Sequence, residues 1–222
     1  MAKIENNLLN IQNQIVNAKQ RANTDQTVNI IAVTKEVDVA RTKEAIEAGL
    51  THLGENRPEG LTNKLDSINS NVSWHFIGSL QTRKVKQVIN NIDYLHSLDR
   101  LSLAEEIEKR ATKAVKCFIQ VNVSGEESKH GMTKQQTLEF VKQLEQFSKI
   151  IVVGLMTMAP FTEDETVIRQ VFKQLKQLQQ EVSQLNIPNV PCTELSMGMS
   201  NDYEIAVEEG ATFVRIGTAL VG

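Results

Sequence analysis

The chain has only two cysteines, Cys117 and Cys192, so neither a disulfide framework nor a cysteine-based zinc site is expected. The chain also lacks a large excess of charge of one sign, since it has 24 basic and 27 acidic residues. Without a net positive charge, nucleic acid and anionic membranes are disfavoured as partners. The longest apolar run, residues 150–161, is interrupted by Gly, Thr and Pro and is shorter than the ~20 residues that span a bilayer. The N-terminus lacks the unbroken apolar stretch of a signal peptide. These absences predict a globular, cytoplasmic protein in a reducing compartment.

Flexible linkers are absent as well. The chain contains four prolines, each at the apparent end of an element, and it has no low-complexity segment. Hydrophobic residues make up 41% of the chain and charged residues 23%, a balance typical of a packed globular core. A single domain over residues 1–222 is therefore predicted.

Apolar runs alternate with amphipathic stretches along the chain. A leading helix is predicted from apolar residues at steps of three and four, namely Ile4, Leu8, Ile11, Ile15 and Ala18. Strands are predicted at residues 29–34, 51–54, 73–77, 94–97, 116–123, 150–155, 192–195 and 212–216. Strands that alternate with helices predict parallel pairing through right-handed crossovers. Eight strands covered by eight helices predict an α/β fold of the closed (β/α)₈ TIM-barrel type, with an open doubly wound sheet as the alternative.

Polar residues at the ends of the predicted strands mark a candidate ligand site, because parallel folds bind ligands at the carboxyl ends of their strands. Lys35 ends the first strand and Arg215 lies on the eighth. A closed barrel makes these two strands neighbours, so both cations are expected at one opening. Their repulsion requires a carboxylate, for which Glu55 and Glu194 are candidates, or a phosphorylated ligand.

A phosphate site is predicted beside these cations. Gly217 and Thr218 follow strand eight, and Ser200 stands at a predicted helix start after strand seven, where barrels commonly bind phosphate. The amine of Lys35 is of the kind that attacks aldehydes. Together with Arg215, these residues predict a phosphate ester bound as a Schiff base, for which pyridoxal 5′-phosphate (PLP) is the candidate cofactor.

Three histidines suggest a rival metal site. His52, His75 and His96 fall on predicted strands two, three and four, where metal-dependent barrels place ligands. Each stands before the end of its predicted strand, and none has an evident second partner in the sequence. A structural or supporting role is therefore favoured over metal binding.

Seven motifs carry a family resemblance. They are AVTK (32–35), HLGEN (52–56), WHFIGSLQ (74–81), QVNVS (120–124), GLMTM (154–158), LSMGMSNDYE (195–204) and VRIGTAL (214–220). The motifs span nearly the whole chain in the order found in pyridoxal phosphate homeostasis proteins, and the chain resembles that family.

The resemblance implies a fold-type III barrel, like the first domain of alanine racemase, with PLP held as an internal aldimine on Lys35. It implies that Arg215 faces the pyridine nitrogen and that Ser200, Gly217 and Thr218 bind the phosphate. The further pocket residues that it implies are Asn56 and Met156.

The resemblance also implies a role in vitamin B6 homeostasis, with PLP as ligand, PLP-dependent apoenzymes as transient acceptors, and a monomer or weak dimer. Catalytic residues and a metal are not implied. An arginine at the ring nitrogen keeps that nitrogen unprotonated, which weakens the ring as an electron sink, and no second domain supplies an acid–base partner. The alternatives are a PLP-dependent amino-acid racemase or lyase, and an aldolase-like barrel that uses Lys35 on a sugar phosphate.

Overall fold

Eight parallel strands form a closed barrel in a computed structural model that describes residues 2–126 and 130–222. The strands are β1 (Asn29–Val33), β2 (His52–Glu55), β3 (Ser73–Phe76), β4 (Tyr94–Leu98), β5 (Val115–Gln120), β6 (Ile150–Met156), β7 (Glu194–Met199) and β8 (Phe213–Ile216). Strand order around the barrel follows the chain. β1 pairs with both β2 and β8, so that Ile31 lies opposite His52 on one side and opposite Arg215 on the other. The predicted barrel is confirmed, and the open-sheet alternative is wrong.

Helices cover the outside of the barrel. The α-helices are α1 (Ala2–Arg21), α2 (Val39–Glu47), α3 (Pro58–Ser67), α4 (Val85–Val88), α5 (Leu101–Arg110), α6 (Lys134–Gln143), α7 (Glu165–Ser183), α8 (Tyr203–Glu208) and α9 (Thr218–Val221), and short 3₁₀ turns occupy Thr82–Lys84, Ile89–Asn91 and Leu144–Gln146. None of the described helices combines the length and apolarity needed to cross a membrane.

The leading helix forms as its sequence pattern predicts. All five apolar residues of its predicted stripe are buried, and α1 packs beside α8 and α9. Burying one continuous apolar face is what stabilises an amphipathic helix of this length. The next helix, α2, is capped by Asp38, whose carboxylate accepts the N–H of Arg41 at 2.7 Å. This bond satisfies one of the free N–H groups of the first turn.

The alternation of side chains along the strands creates two apolar layers. A small cluster of Ile31, Phe118, Met156 and Phe213 fills the barrel interior, whereas the larger cluster lies between strands and helices. Because successive strand residues point to opposite faces, the interior position of Phe213 places Arg215 on the same inward face. This orientation agrees with the expected position of Arg215 at the opening of the barrel.

The seventh strand differs from its predicted bounds. Predicted at residues 192–195, it runs instead from Glu194 to Met199, with a register shift between Ser196 and Met199. Gly198 makes this path feasible, since its φ is +92° and a Cβ there would lie 2.6 Å from Cβ of Ala206. Only glycine adopts such a conformation without strain or collision.

The predicted helix start at Ser200 is wrong. The helix begins two residues later, with Asp202 in the N-cap position. The Asp202 carboxylate accepts the N–H of Met199 at 2.6 Å, which closes a tight turn that contains Ser200. This local bond competes with helix formation, as aspartate side chains commonly do. Ser200 therefore belongs to the loop between β7 and α8.

Candidate cofactor site

A cavity of about 850 Å³ opens at the carboxyl ends of the strands, within the ~300–1,000 Å³ typical of small-molecule sites. It is lined by all of the residues that the sequence proposes for cofactor binding, namely Lys35, Asn56, Met156, Ser200, Arg215, Gly217 and Thr218. These residues come from five different strands or from the loops that follow them. The closure of β8 onto β1 brings the first and last of them together.

Four polar side chains on the cavity wall are unpartnered. Lys35, Asn56, Ser200 and Thr218 make no side-chain hydrogen bond with any residue in 2–126 or 130–222. Lys35 and Thr218 are exposed, and Asn56 and Ser200 are half-buried. Partly buried polar groups such as Asn56 and Ser200 usually find partners within the fold, whereas exposed ones such as Lys35 and Thr218 bond to water. An amine, an amide and two hydroxyls left free around one cavity form a donor set suited to a polar anionic ligand.

Arg215 is buried at the wall of the same cavity, with 5% of its surface exposed. Its Nη1 donates to Oγ of Ser196 at 2.7 Å, and its Nη2 donates to the carbonyl oxygen of Thr157 at 3.0 Å. Both acceptors are uncharged. Burial lowers the pKa of Arg215 to about 10, so the guanidinium keeps its proton at neutral pH.

Neither carboxylate expected to offset Arg215 does so. Oε1 of Glu55 lies 2.5 Å from both Nζ of Lys64 and Oγ1 of Thr34, so that carboxylate is committed to another ion pair. Glu194 is half-buried and accepts a long bond of 3.4 Å from Oγ1 of Thr193. Neither side chain lines the cavity, so the carboxylate alternative is wrong and the alternative of a phosphorylated ligand is left.

Asp202 is the acidic residue that the sequence prediction missed. It is buried on the cavity wall. Burial raises its pKa, although the N–H of Met199 and the charge of Arg215 act in the opposite direction. In the sequence, the polar loop after strand seven indicated that a site residue could lie there. Only the geometry of the turn shows that Asp202, the third residue of this loop, lines the cavity.

A buried ion pair holds the two loops that carry Lys35 and Asn56. Nζ of Lys64, on α3, lies 2.5 Å from Oε1 of Glu55 and 2.5 Å from the carbonyl oxygen of Thr34. Thr34 and Glu55 directly precede Lys35 and Asn56 in the chain. The ends of β1 and β2 are thereby tied to one side chain.

Asn56 is also fixed from its other side. The loop after β3 passes so close that a Cβ on Gly78 would lie 2.4 Å from the carbonyl oxygen of Asn56. A side chain at position 78 has no room. The glycine of the WHFIGSLQ motif is thus required by the contact between two loops of the site.

The three histidines bond to one another. Nδ1 of His52 lies 2.9 Å from Nε2 of His75, and Nδ1 of His75 lies 2.8 Å from Nε2 of His96. Among residues 2–126 and 130–222, no group of three or more His, Cys, Asp and Glu side chains is arranged to hold a metal ion. The sequence revealed no second partner for these residues because each partner lies on the neighbouring strand.

The two tyrosines are both outside the cofactor cavity. Tyr94 lies in the barrel interior, stacked on His75 at 4.3 Å between ring centroids. Tyr203 donates its hydroxyl to Oε1 of Gln14 on α1, and burial raises its pKa to about 12. A phenol in that state holds its proton and does not face the cavity of Lys35.

Comparisons with known proteins match the chain over nearly its whole length. The family model for the N-terminal domain of alanine racemase matches residues 7–222. A pyridoxal phosphate homeostasis protein of Aquifex aeolicus is 38% identical over 220 residues, which cover 97% of this chain and 96% of that protein. A similar protein of Pasteurella multocida is 34% identical over 99% of this chain and 97% of its own length.

Solved structures agree with this grouping. PipY of Synechococcus elongatus, solved with PLP bound, is 31% identical with a TM-score of 0.88 over 99% of this chain and 100% of that one. Alanine racemase of Corynebacterium glutamicum, at 14% identity and a TM-score of 0.74, shares the fold over 60% of its length. The chain belongs to the family of pyridoxal phosphate homeostasis proteins, which has the fold of the alanine racemase N-terminal domain.

Proposed function

We propose that the protein binds PLP covalently through Lys35 and serves in PLP homeostasis as a carrier with little or no turnover. One observation carries the proposal: an exposed lysine, a buried arginine and three further unpartnered polar side chains surround a single cavity. The likeness to PipY, a relative solved with PLP, supports the same assignment. When bound, PLP supplies an aldehyde for the lysine amine and an aromatic ring that withdraws electrons.

The phosphate end is assigned to the loops after β7 and β8. The hydroxyls of Ser200 and Thr218 are free to donate there. A Cβ on Gly217 would project toward Val33, which also lines the cavity, at 3.6 Å from its Cβ. The missing side chain therefore leaves space along the wall for phosphate oxygens. Asn56 and Met156 are assigned to the wall around the ring.

Arg215 is assigned to the ring nitrogen. Its pKa of about 10 keeps it cationic at neutral pH, and a cation facing that nitrogen disfavours its protonation. A ring without that proton stabilises a carbanion poorly. This charge arrangement favours holding the cofactor over performing amino-acid chemistry on it.

The acid–base groups on the cavity wall support the same conclusion. In the described residues, neither tyrosine lines the cavity, the buried carboxylate of Asp202 is bonded to the N–H of Met199, and the remaining carboxylates on the wall, Glu163 and Glu165, are exposed to solvent. General acid–base catalysis requires a group within hydrogen-bond reach of the reacting proton. We infer that PLP leaves the site by exchange onto an amine, with PLP-dependent apoenzymes of the cytoplasm as acceptors.

Absorption spectroscopy of the protein mixed with PLP tests the binding. A visible or near-ultraviolet band of protein-bound cofactor is expected, and Lys35→Ala should abolish it. Lys43→Ala, at an exposed position on α2, is the matched control and should retain it. Borohydride should fix the cofactor to the peptide that contains Lys35. A label on another peptide, or no band at all, would overturn the assignment.

Proton exchange separates the carrier from the racemase or lyase alternative. The PLP-loaded protein is incubated in D₂O with a panel of amino acids, and deuterium at the α-carbon is followed by NMR. Exchange no faster than with free PLP supports the carrier. Rapid exchange with one amino acid would establish an enzyme instead. Trapping of a sugar phosphate by borohydride without PLP would establish the aldolase alternative.

A further inference from the structure

A continuous row of hydrogen-bonded side chains starts at Arg215 and crosses the barrel interior. Nη1 of Arg215 is 2.7 Å from Oγ of Ser196, which is 2.9 Å from Nδ1 of His96. The row continues through His75 to His52 at 2.8 and 2.9 Å. Ser196, His96 and His75 are fully buried, and His52 is half-buried at the far end. The row is built from β8, β7, β4, β3 and β2.

Stacking fixes the planes of the inner rings. His75 lies parallel to Tyr94, with ring centroids 4.3 Å apart and an angle of 2° between planes. His96 stacks on Phe118 at 4.4 Å. Such contacts hold a ring in one orientation. Both ring nitrogens of His75 therefore stay directed at their neighbours in the row.

The direction of the row follows from its first member. A guanidinium only donates hydrogen bonds, so Oγ of Ser196 accepts from Arg215. If the Ser196 hydroxyl donates to Nδ1 of His96, the proton of neutral His96 is on Nε2. It then donates to Nδ1 of His75, whose own proton on Nε2 donates to Nδ1 of His52. In this arrangement every polar atom between Arg215 and His52 is satisfied.

The reverse direction leaves a buried donor without an acceptor. If Nδ1–H of His96 donated to Oγ of Ser196, the Ser196 hydroxyl would need another acceptor, and none lies within reach in the described residues. An unsatisfied buried donor is costly. A charged imidazole in the row is also disfavoured, because burial and the neighbouring charges of Arg215 and Lys116 lower the pKa of His96 and His75.

We propose that Ser196, His96, His75 and His52 form a directed chain of neutral Nε2–H imidazoles that positions the guanidinium of Arg215 at the cofactor cavity. Ser196 touches Arg215 and the histidines act through Ser196, so all four are positioning residues. The chain leaves Oγ of Ser196 with lone pairs for Arg215, since its only proton is engaged by His96. The role toward PLP rests on the proposed function, whereas the tautomers and the anchoring of Arg215 do not.

Nitrogen NMR of the wild-type protein without added ligand tests the direction. At pH 7.5, His75 and His96 are expected to show a protonated Nε2 and an unprotonated Nδ1. The side-chain N–H signals of Arg215 are expected to exchange slowly with water. A protonated Nδ1 on His96, or a charged imidazole in either residue, would overturn the proposal. This measurement needs no variant and no cofactor.

Variants test the positioning. Ser196→Ala should raise the Kd for PLP by about tenfold, because it leaves a buried cationic donor unpaired, and should shift the absorption band of the bound cofactor. His96→Leu should act likewise, whereas His96→Gln should restore wild-type behaviour because an amide both accepts and donates. Ser97→Ala is the matched control, since the buried Ser97 hydroxyl on the same strand as His96 has no hydrogen-bond partner.

The outcomes separate this proposal from the assignment of PLP. Wild-type affinity and an unshifted band for Ser196→Ala would show that the row does not position Arg215. Failure of the wild-type protein to bind PLP would contradict the proposed function. The histidine tautomers and the exchange rates of the Arg215 N–H groups would still test the hydrogen-bond chain, because neither measurement needs PLP.

Discussion

Lys64 and Glu55 form an ion pair that is almost completely removed from water. The distance from Nζ to Oε1 is 2.5 Å, and the side chains are 4% and 1% exposed. The same ammonium group donates to the carbonyl oxygen of Thr34. A buried pair of this kind is costly to break, because the remaining partner stays charged and unpaired. Its position behind Lys35 and Asn56 makes it a support of the cofactor site.

Removing one member of this pair is therefore expected to destabilise the fold. Lys64→Met should lower the free energy of unfolding by about 3–5 kcal/mol, measured by urea denaturation. The double variant Lys64→Met with Glu55→Leu should recover most of the loss, since it leaves no buried charge. Arg110→Met is the control, because its pair with Glu106 is partly exposed to water. Equal losses for Lys64→Met and Arg110→Met would contradict the argument.

Acid is expected to destabilise the protein through its buried histidines. Burial lowers the pKa of His75 and His96 well below the ordinary value of 6.5. As pH falls through that value, the unfolded state takes up protons that the folded state does not. The free energy of unfolding should then decrease by up to about 1.4 kcal/mol per pH unit for each histidine.

Denaturation at pH values between 7 and 5 measures this effect. His96→Gln should reduce the slope by the contribution of one histidine. His130→Gln, at an exposed position, should leave the slope as it is in the wild type. A wild-type slope retained in His96→Gln would show that its imidazole is not held neutral by the fold.

Both thiols are expected to be inert in the folded protein. Cys117 and Cys192 form no disulfide and are buried. Burial raises the pKa of each thiol to about 12. The thiolate is the reactive form, and neither accessibility nor ionisation favours it here. Alkylation at pH 8 followed by mass spectrometry should label neither residue in the native state and both in urea. Rapid native labelling of either thiol would contradict its placement.

Gly78→Ala is expected to disturb the cofactor site. The new Cβ would lie 2.4 Å from the carbonyl oxygen of Asn56, so the two loops must move apart. The Kd for PLP should rise several-fold and the melting temperature should fall. Gly125→Ala is the control, since a Cβ there meets no atom within 4 Å. It should carry only the modest strain of its positive φ, without a change in PLP affinity.

Local patterns in the sequence determined the order and type of the elements. Apolar residues spaced by three and four gave the leading helix, and short apolar runs gave all eight strands of the barrel. These features depend on residues close together in the chain, whose periodicity matches the geometry of a helix or a strand. The same strand order, closed into a barrel, placed Lys35 and Arg215 at one opening.

Element ends were less predictable. Strand seven continues beyond its predicted end because Gly198 adopts a positive φ, and the helix start moves to Asp202 because its carboxylate bonds to Met199. Neither the positive φ of Gly198 nor the bond between Asp202 and Met199 produces a periodic pattern of residues in the sequence. Each depends on one backbone conformation and one side-chain bond, which neighbouring apolar residues do not encode.

The sequence by itself determined that a lysine and an arginine lie near the carboxyl ends of two strands of a parallel barrel. Only the tertiary structure decided what surrounds them: Glu55 turns to Lys64 instead of Arg215, and the row from Arg215 ends at His52. His96 and Ser196 are 100 positions apart yet share a hydrogen bond. Contacts of this range arise from the register and closure of eight strands, which fix distances between side chains that no local pattern relates.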